Sequence, residues 1–522
     1  MRSLDDTGVR AAQDGLDWRL TVAICLCCAL PVFLVSFPPL HDYPFHLARF
    51  DILTRYADSA FLQRIYNPPN YLLPNVGGDV IGIVLAGVMP LEWAGRALIA
   101  IIVVLQVSGV CALHYAVWGR RSAWPFVAVL LVYNFILLFG FLNYGLGVGL
   151  ALWGVALRVA LVGRPVWVRL VAGGAVALLV YFAHIAAFGL YAMFIGSLSA
   201  SELLRAARQN RARPYTRQIV VEALTLALPV FLFLKWWTLQ SEGLKVFDPR
   251  QGTWPGFIEA KLRSAVSVIS FGNLWLDLTH VATWTAVLGA LALLARPRFH
   301  PSLWLFLAVG LSVFLVAPHT ALTGWYLDAR VPMFLALSAV AFVDLKPMNA
   351  PAFHRVTRVL TTAALVRTFA VAVAWYSSQP PLKEVVQALW TLPSGSVVFA
   401  ASVDPVPGIN RFWHRNWVPP MKHVVSYAGL DRDVFVPASW AHPAQQPISV
   451  RPEFRRVYVE QGNNPPVVND AEQLSQLATR FREAVASGPA YMLLLGDHTP
   501  VFSLPDAHEV AQGQRFSLFA LR

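Results

Sequence analysis

Apolar runs of about 17 to 25 residues, long enough to cross a bilayer as helices, recur from Trp18 to Tyr376 and then stop. The first covers Trp18 to Phe37 and is followed by a polar, aromatic stretch up to Asp79 that is too charged to lie in lipid. Val80 to Met89 is apolar but too short to span, so it is expected to lie at the interface or to re-enter. Spans are then expected over Ala94 to Trp118, Ser122 to Phe139 and Gly145 to Val162, the last two joined by a tight turn at Phe141-Leu142-Asn143-Tyr144. Leu170 to Leu204 has basic residues at both ends, so it must cross twice, turning near His184. Ile219 to Trp237 leads into a second polar loop, and an eighth run returns to Arg296. Leu303 to Ala317, a tenth run ending before Lys346, and Val359 to Trp375 complete the series. The pattern predicts a polytopic α-helical membrane protein of about eleven transmembrane helices within residues 1–377, with large outer loops at 38–93 and 240–277.

Beyond residue 378 the periodicity changes. Helical patterns at Leu382 to Leu392 and at Asp470 to Ala486, the second with Asp470 as N-cap, alternate with strand-like Val397 to Ala401, Tyr491 to Leu495 and Phe516 to Leu521. Residues 378–522 therefore read as a soluble α/β domain. No fixed-period repeat is visible.

Composition agrees: 57% of the 522 residues are hydrophobic and 13% charged, against about 25% charged in ordinary soluble domains. The net charge of +12 comes from Arg residues in short links between apolar runs, which is an orientation signal and not a nucleic-acid surface. With the N-terminus cytoplasmic, the basic clusters fall inside and the long loops outside, which places the C-terminal domain outside a bacterial inner (cytoplasmic) membrane. The first run ends on Val35-Ser36-Phe37-Pro38-Pro39, without a small-residue cleavage site, so it reads as a retained helix. Cys25, Cys27, Cys28 and Cys111 all fall in expected spans and read as packing residues. His414, His423, His442 and His498 lack ligand spacing, so no cofactor and no metal is assigned, and the spacing does not support a divalent metal.

The chemistry-bearing segment is His41-Asp42-Tyr43-Pro44-Phe45-His46-Leu47-Ala48-Arg49-Phe50-Asp51, just outside the first run. A helix starting near Pro44 puts His46 and Arg49 on one face, with Asp42 just before its first turn. Asp42 then has two readings. As an N-cap it satisfies backbone donors; as a carboxylate held at the membrane surface it takes a proton while nearby cations hold a phosphate.

An acidic residue just after the first helix, a long first outer loop, many helices and an outer C-terminal domain resemble the GT-C superfamily of membrane glycosyltransferases. The resemblance implies a GT-C-like fold, a polyprenyl-phosphate sugar donor, and Asp42 as the general base that activates the acceptor. Many members carry two adjacent acids at this point, whereas here Tyr43 follows Asp42 and the next acid is Asp51. Trp325-Tyr326-Leu327-Asp328-Ala329-Arg330 opens the tenth run, and Arg330 is similar in placement to an outer arginine that meets the donor phosphate in that superfamily. The plain reading of Asp328 and Arg330 is an interfacial pair below a Trp/Tyr belt. His319 shares that loop. His184 reads either as a cavity-lining residue or as a hydrogen-bonded structural histidine. Lys235 beside Trp236-Trp237 reads as a snorkelling side chain, and Arg367, mid-span, requires a partner or a wet cavity.

Three functions stay open from sequence. The first is sugar transfer from a polyprenyl-phosphate donor to an envelope glycan, lipid or protein acceptor at the extracytoplasmic face, with Asp42 catalytic and His46, Arg49, His184, Tyr326, Asp328 and Arg330 binding substrate. The second is a transporter or flippase of a lipid-linked substrate, against which stands the lack of matching broken spans in two halves. The third is a non-catalytic subunit of an envelope-polymer assembly. Membrane lipids are expected around all three, and no nucleic acid.

Overall fold

The computed structural model describes residues 16–522 except 211–212, 240–253, 272–273, 321–323, 404–420, 440, 442, 444, 463, 486–487, 497–503 and 505–506. His414, His442 and His498, and much of the second polar loop, lie outside the described residues. The chain forms two compact units. One takes the chain up to Pro31, Ile99–Leu137 and Phe141–Ala372; the other takes Val32–Leu98, Leu138–Gly140 and Val373–Arg522.

The helical unit bears out a multi-pass membrane protein. Every expected run is helical, and among the described residues seven helices are long and apolar enough to cross a membrane: Leu91–Trp118, Leu142–Ala160, Val166–Ala183, Ile185–Ala207, Tyr215–Thr238, Trp275–Leu294 and Ala350–Ser377. The remaining four runs are shorter or broken. Trp18–Cys27 is followed by Leu30–Phe33, the third run is split, and Ser302–Val316 and Leu327–Ala341 have 15 residues each. Large apolar side chains such as Leu293 and Phe369 stand exposed, as contact with lipid tails permits. A short antiparallel pair, β1 (Pro297–Phe299) with β2 (Val343–Leu345), closes one end of this unit.

Asn134 splits the third run between helices Ala128–Val132 and Phe135–Phe139. Its side chain donates to Leu131 O and accepts from the Ile136 and Leu137 N–H groups, so one amide caps both pieces. The break also releases the Tyr133 carbonyl, and Arg367 donates to it at 2.7 Å. That carbonyl, with the Phe271 ring 5.2 Å away, is the environment the mid-span guanidinium required. The turn after Phe139 falls on Gly140, one residue before the expected Phe141 to Tyr144. A backbone φ of 90° there favours glycine, and Leu142–Ala160 starts directly afterwards.

In the second unit a five-stranded sheet runs in the order β4-β3-β5-β7-β6. β3 (Val397–Val403) is parallel to β4 (Val467–Val468) and β5 (Ala490–Leu495); β7 (Phe516–Leu521) is antiparallel to β5 and to β6 (Ala507–Gly513). The helix Ala471–Ala484 makes the crossover, and Asp470 caps it by accepting from the Gln473 N–H at 2.8 Å, as its sequence predicts. Its Leu474, Leu477 and Phe481 pack with Phe399 and Met492 in one core.

That core also takes Ile52, Leu53, Leu62, Ile65 and Tyr66. Residues 32–98 and the C-terminal strands thus share one interior. The Gln379 amide reinforces it by bonding the backbone of Ser36 and Phe37. Gly77 to Asp79 opens the helix Gly77–Ala86, where Asp79 in the first turn favours the positive end of the helix dipole. At Gly82 an added Cβ would stand 2.6 Å from the Phe50 ring, so only glycine lets this helix lie against Tyr43–Arg55.

Arg55 ties the end of Tyr43–Arg55 down, donating to Asp51 at 3.0 Å and to Asp433 at 3.1 Å, while Asp51 also accepts from the Asp431 N–H. Burial pushes the Asp51 carboxyl up to about 7 although Arg55 pulls it down. A folded pKa above the unfolded one means that the native state holds the extra proton between about pH 4 and pH 7, so this group's contribution to stability falls as pH rises through that window. Arg55→Ala removes the cation beside a buried carboxylate and is expected to cost about 3 kcal/mol at pH 8. The cost should shrink markedly at pH 5, where Asp51 is protonated. Thermal unfolding of the detergent-solubilised variant at the two pH values checks this, and an equal loss at both would refute it.

Candidate functional site

Polar side chains gather at two places, one in each unit. In the sheet-containing unit the first is organised by Asp42. It stands at the N-cap position of Tyr43–Arg55, yet its side chain makes no capping hydrogen bond. Pro44 in the first turn supplies no N–H and Asp42 itself has a helical backbone, φ −92° and ψ −1°, and the capping reading of this carboxylate does not hold. The Asp42 backbone is fixed by another route. The His41 and Asp42 N–H groups donate to Leu138 O and Phe139 O, and a Cβ added at Gly140 would meet the Asp42 nitrogen at 2.8 Å.

Asp42 Oδ1 lies 3.8 Å from His41 Nε2 and 3.6 Å from His423 Nε2, and the two imidazole Nε2 atoms are 3.1 Å apart. All three residues are buried. The Phe139 ring, 4.6 Å from that of His41, and the Phe45 ring, 4.0 Å from that of His423, pack beside the two imidazoles. Lys422 faces the same carboxylate; burial pulls its ammonium below the usual lysine range and Asp42 pulls it back up.

One turn on, His46 and Arg49 share a face as their spacing predicts. His46 Nε2 donates to Gly140 O at 3.0 Å and its Nδ1 accepts from Arg49 at 2.8 Å, which assigns the neutral tautomer with the proton on Nε2. Burial, with Arg49 adding to it, holds that imidazole well below its usual range. Arg49 donates through Nε to Asp79 at 2.6 Å, and both partners are buried. The guanidinium expected to meet phosphate is therefore already held by a carboxylate and an imidazole. Its geometry makes it a brace between two helices.

In the helical unit Arg330, His184, Asp328, Tyr326 and His319 come together, with Lys261 joining them from the helix Trp254–Val266. His319 Nδ1 is 3.0 Å from Asp328 Oδ1, and Lys261 Nζ is 3.6 Å from Asp328 Oδ2. Lys261 also donates to Phe314 O and Ala317 O. Tyr326, in the left-handed region at φ 58°, lays its ring 4.6 Å from that of His319. Arg330 lies 4.4 Å from the Phe141 ring and reaches Trp325 O, while its own carbonyl accepts from Tyr144 Oη at 2.6 Å.

Arg330 also stands 3.0 Å from His184 Nε2, while His184 Nδ1 faces the Ala186 N–H at 3.0 Å. A neutral imidazole cannot accept at both nitrogens. With Nδ1 accepting from Ala186, the proton of a neutral ring sits on Nε2, so in that tautomer the Arg330 contact is not a hydrogen bond. Asp328 and Arg330 are thus not a simple pair, since each has separate partners.

Five residues of these two groups were not singled out as binding residues from sequence: His41, Asp79, Lys261, Lys422 and His423. His41 and Asp79 lie in segments that drew attention for other reasons. Nothing in the sequence couples Lys261 to Asp328, or His423 to a position 382 residues earlier.

No family model and no curated protein matches the chain. Among solved structures it is similar to ArnT from Cupriavidus metallidurans in the apo state, at 13% identity and TM-score 0.51, over 96% of this chain and 97% of that one. The structure of that protein bound to undecaprenyl phosphate matches at TM-score 0.49 with the same identity and coverage. The match to the apo form shows that the chain shares the fold of that protein, many helices with a C-terminal sheet domain.

The brace is separable from the chemistry. Arg49→Ala leaves the Asp79 carboxylate buried without its cation and should cost about 3 to 5 kcal/mol. Replacing both partners, as Arg49→Met with Asp79→Leu, should recover most of that loss, because no buried charge remains. Denaturant titration of the purified variants measures it, and a double variant as unstable as the single one would show that Arg49 is not there to pair with Asp79.

Proposed function

We propose that this chain is a membrane glycosyltransferase that moves a sugar from a polyprenyl-phosphate donor to an acceptor at the extracytoplasmic face, with Asp42 as general base. The observation that carries the reading is the state of Asp42: a buried carboxylate at a helix start that makes no capping hydrogen bond and whose backbone N–H donates to Phe139 O. A base must be held in place.

In the transfer, the acceptor oxygen attacks the anomeric carbon while its proton passes to the Asp42 carboxylate. The bond from that carbon to the phosphate oxygen breaks, and the lipid phosphate leaves with the electron pair. Direct displacement inverts the anomeric configuration. Arg330 and His184 are assigned to phosphate, on the strength of a guanidinium with an imidazole nitrogen 3.0 Å away. Tyr326 and Asp328 are assigned to hold the donor through Arg330 and Lys261. His46, neutral and donating to Gly140, and Arg49, bound to Asp79, are assigned to positioning.

Asp42→Asn keeps shape and loses basicity, so turnover with a polyprenyl-phosphate sugar should fall roughly 100-fold to 10,000-fold while donor binding and melting temperature stay near wild type. Arg330→Ala should instead raise the KM for donor with a smaller effect on kcat, because phosphate is bound in the ground state as well as in the transition state. Wild-type turnover in Asp42→Asn removes the catalytic assignment, and lipid movement across vesicles without glycosyl transfer would favour a flippase.

A further inference from the structure

We propose that His41, Asp42 and His423 bind one divalent transition-metal cation of the Zn2+ class. The binding goes beyond the transfer reading and stands without it; only its catalytic use rests on Asp42 lying at the reacting centre.

Three ligand atoms, one from each residue, lie within 4.8 Å of one another, at pairwise separations of 3.1, 3.6 and 3.8 Å. A cation about 2.1 Å from each of three ligands at tetrahedral angles separates them by roughly 3.4 Å. A hydrogen-bonded cluster accounts for less of this. Only the imidazole pair at 3.1 Å is within hydrogen-bond distance, whereas both contacts to Asp42 Oδ1 exceed it.

Burial makes this cluster a place for charge compensation. His41, Asp42 and His423 are 5%, 7% and 1% exposed, and a carboxylate buried beside two imidazoles is stabilised by a cation. Phe139 and Phe45 pack against the two rings, so little ordering remains when a metal arrives. Two imidazoles and one carboxylate select Zn2+ and similar ions over Mg2+ and Ca2+, which prefer oxygen ligands alone. Three protein ligands leave a fourth position open, the pattern of catalytic and not of closed structural zinc sites. There a Lewis acid would lower the pKa of an acceptor hydroxyl, with the proton passing to Asp42 Oδ2. Lys422, facing the same carboxylate, is the competing cation.

The experiment uses the full-length protein in detergent, stripped with chelator and titrated with Co2+ and Zn2+. One Zn2+ per chain by elemental analysis, visible d–d absorption of the Co2+ form, and a raised melting temperature on loading are expected, since the metal joins residues far apart in the chain. An excess of Mg2+ should not displace it. His41→Ala and His423→Gln should weaken binding by at least about 10-fold, and Lys422→Ala should tighten it. Stripped wild type that takes up no Zn2+, or histidine variants that bind like wild type, overturn the site. Because the wild-type titration needs no substitution, a misfolded variant cannot hide the answer. The transfer reading is judged separately, by turnover of Asp42→Asn, so either can fail alone.

Discussion

A charge placed in an apolar interior must find a partner there, and most of this molecule's organisation follows from how it meets that demand. Arg49 meets Asp79, Arg55 bridges Asp51 and Asp433, Lys261 meets Asp328, and Arg367 takes the carbonyl of a broken helix. Each pairing joins segments that are distant in sequence or on different helices, so each also sets which helices can be neighbours. The same rule operates at two further places in the helical unit, where Arg158 is held by Glu202 and Glu222, and Asp344 by Arg120 and Arg298.

Asp42 is held differently. Its position comes from backbone hydrogen bonds to the short Leu138–Gly140 segment and from a glycine at which no side chain would fit. Its side chain does not cap the helix, and Oδ1 lies 3.8 Å and 3.6 Å from the two imidazoles. A carboxylate placed by its backbone, with oxygens not tied to the helix end, suits either proton transfer or metal binding. Oδ1 and Oδ2 allow both at once.

The two polar groups differ in kind. The one around Asp42 combines an acid, two imidazoles and a lysine, which is a set for taking a proton or binding a cation. The one around Arg330 presents guanidinium and imidazole N–H groups, backed by the Phe141 ring, which is a set for an anion. The chain shares the fold of ArnT at 13% identity.

The apolar periodicity of the chain by itself determined the helical membrane character and most of the helix positions. Burial in lipid leaves few options: a run of apolar residues must satisfy its backbone internally, and only a helix does so within one segment. The alternation after residue 378 likewise determined an α/β sheet domain, and Asp470 its helix start, because capping and strand pattern are local properties. Tertiary structure alone decided the break at Asn134, the helical state of Gly77 to Asp79, and the commitment of Arg49 to Asp79. It alone brought His423 beside His41 and Asp42, and Lys261 beside Asp328. These are pairings across hundreds of residues or between helices. They are selected by the cost of leaving a buried polar group unmatched, a quantity that does not exist until the chain has folded around it.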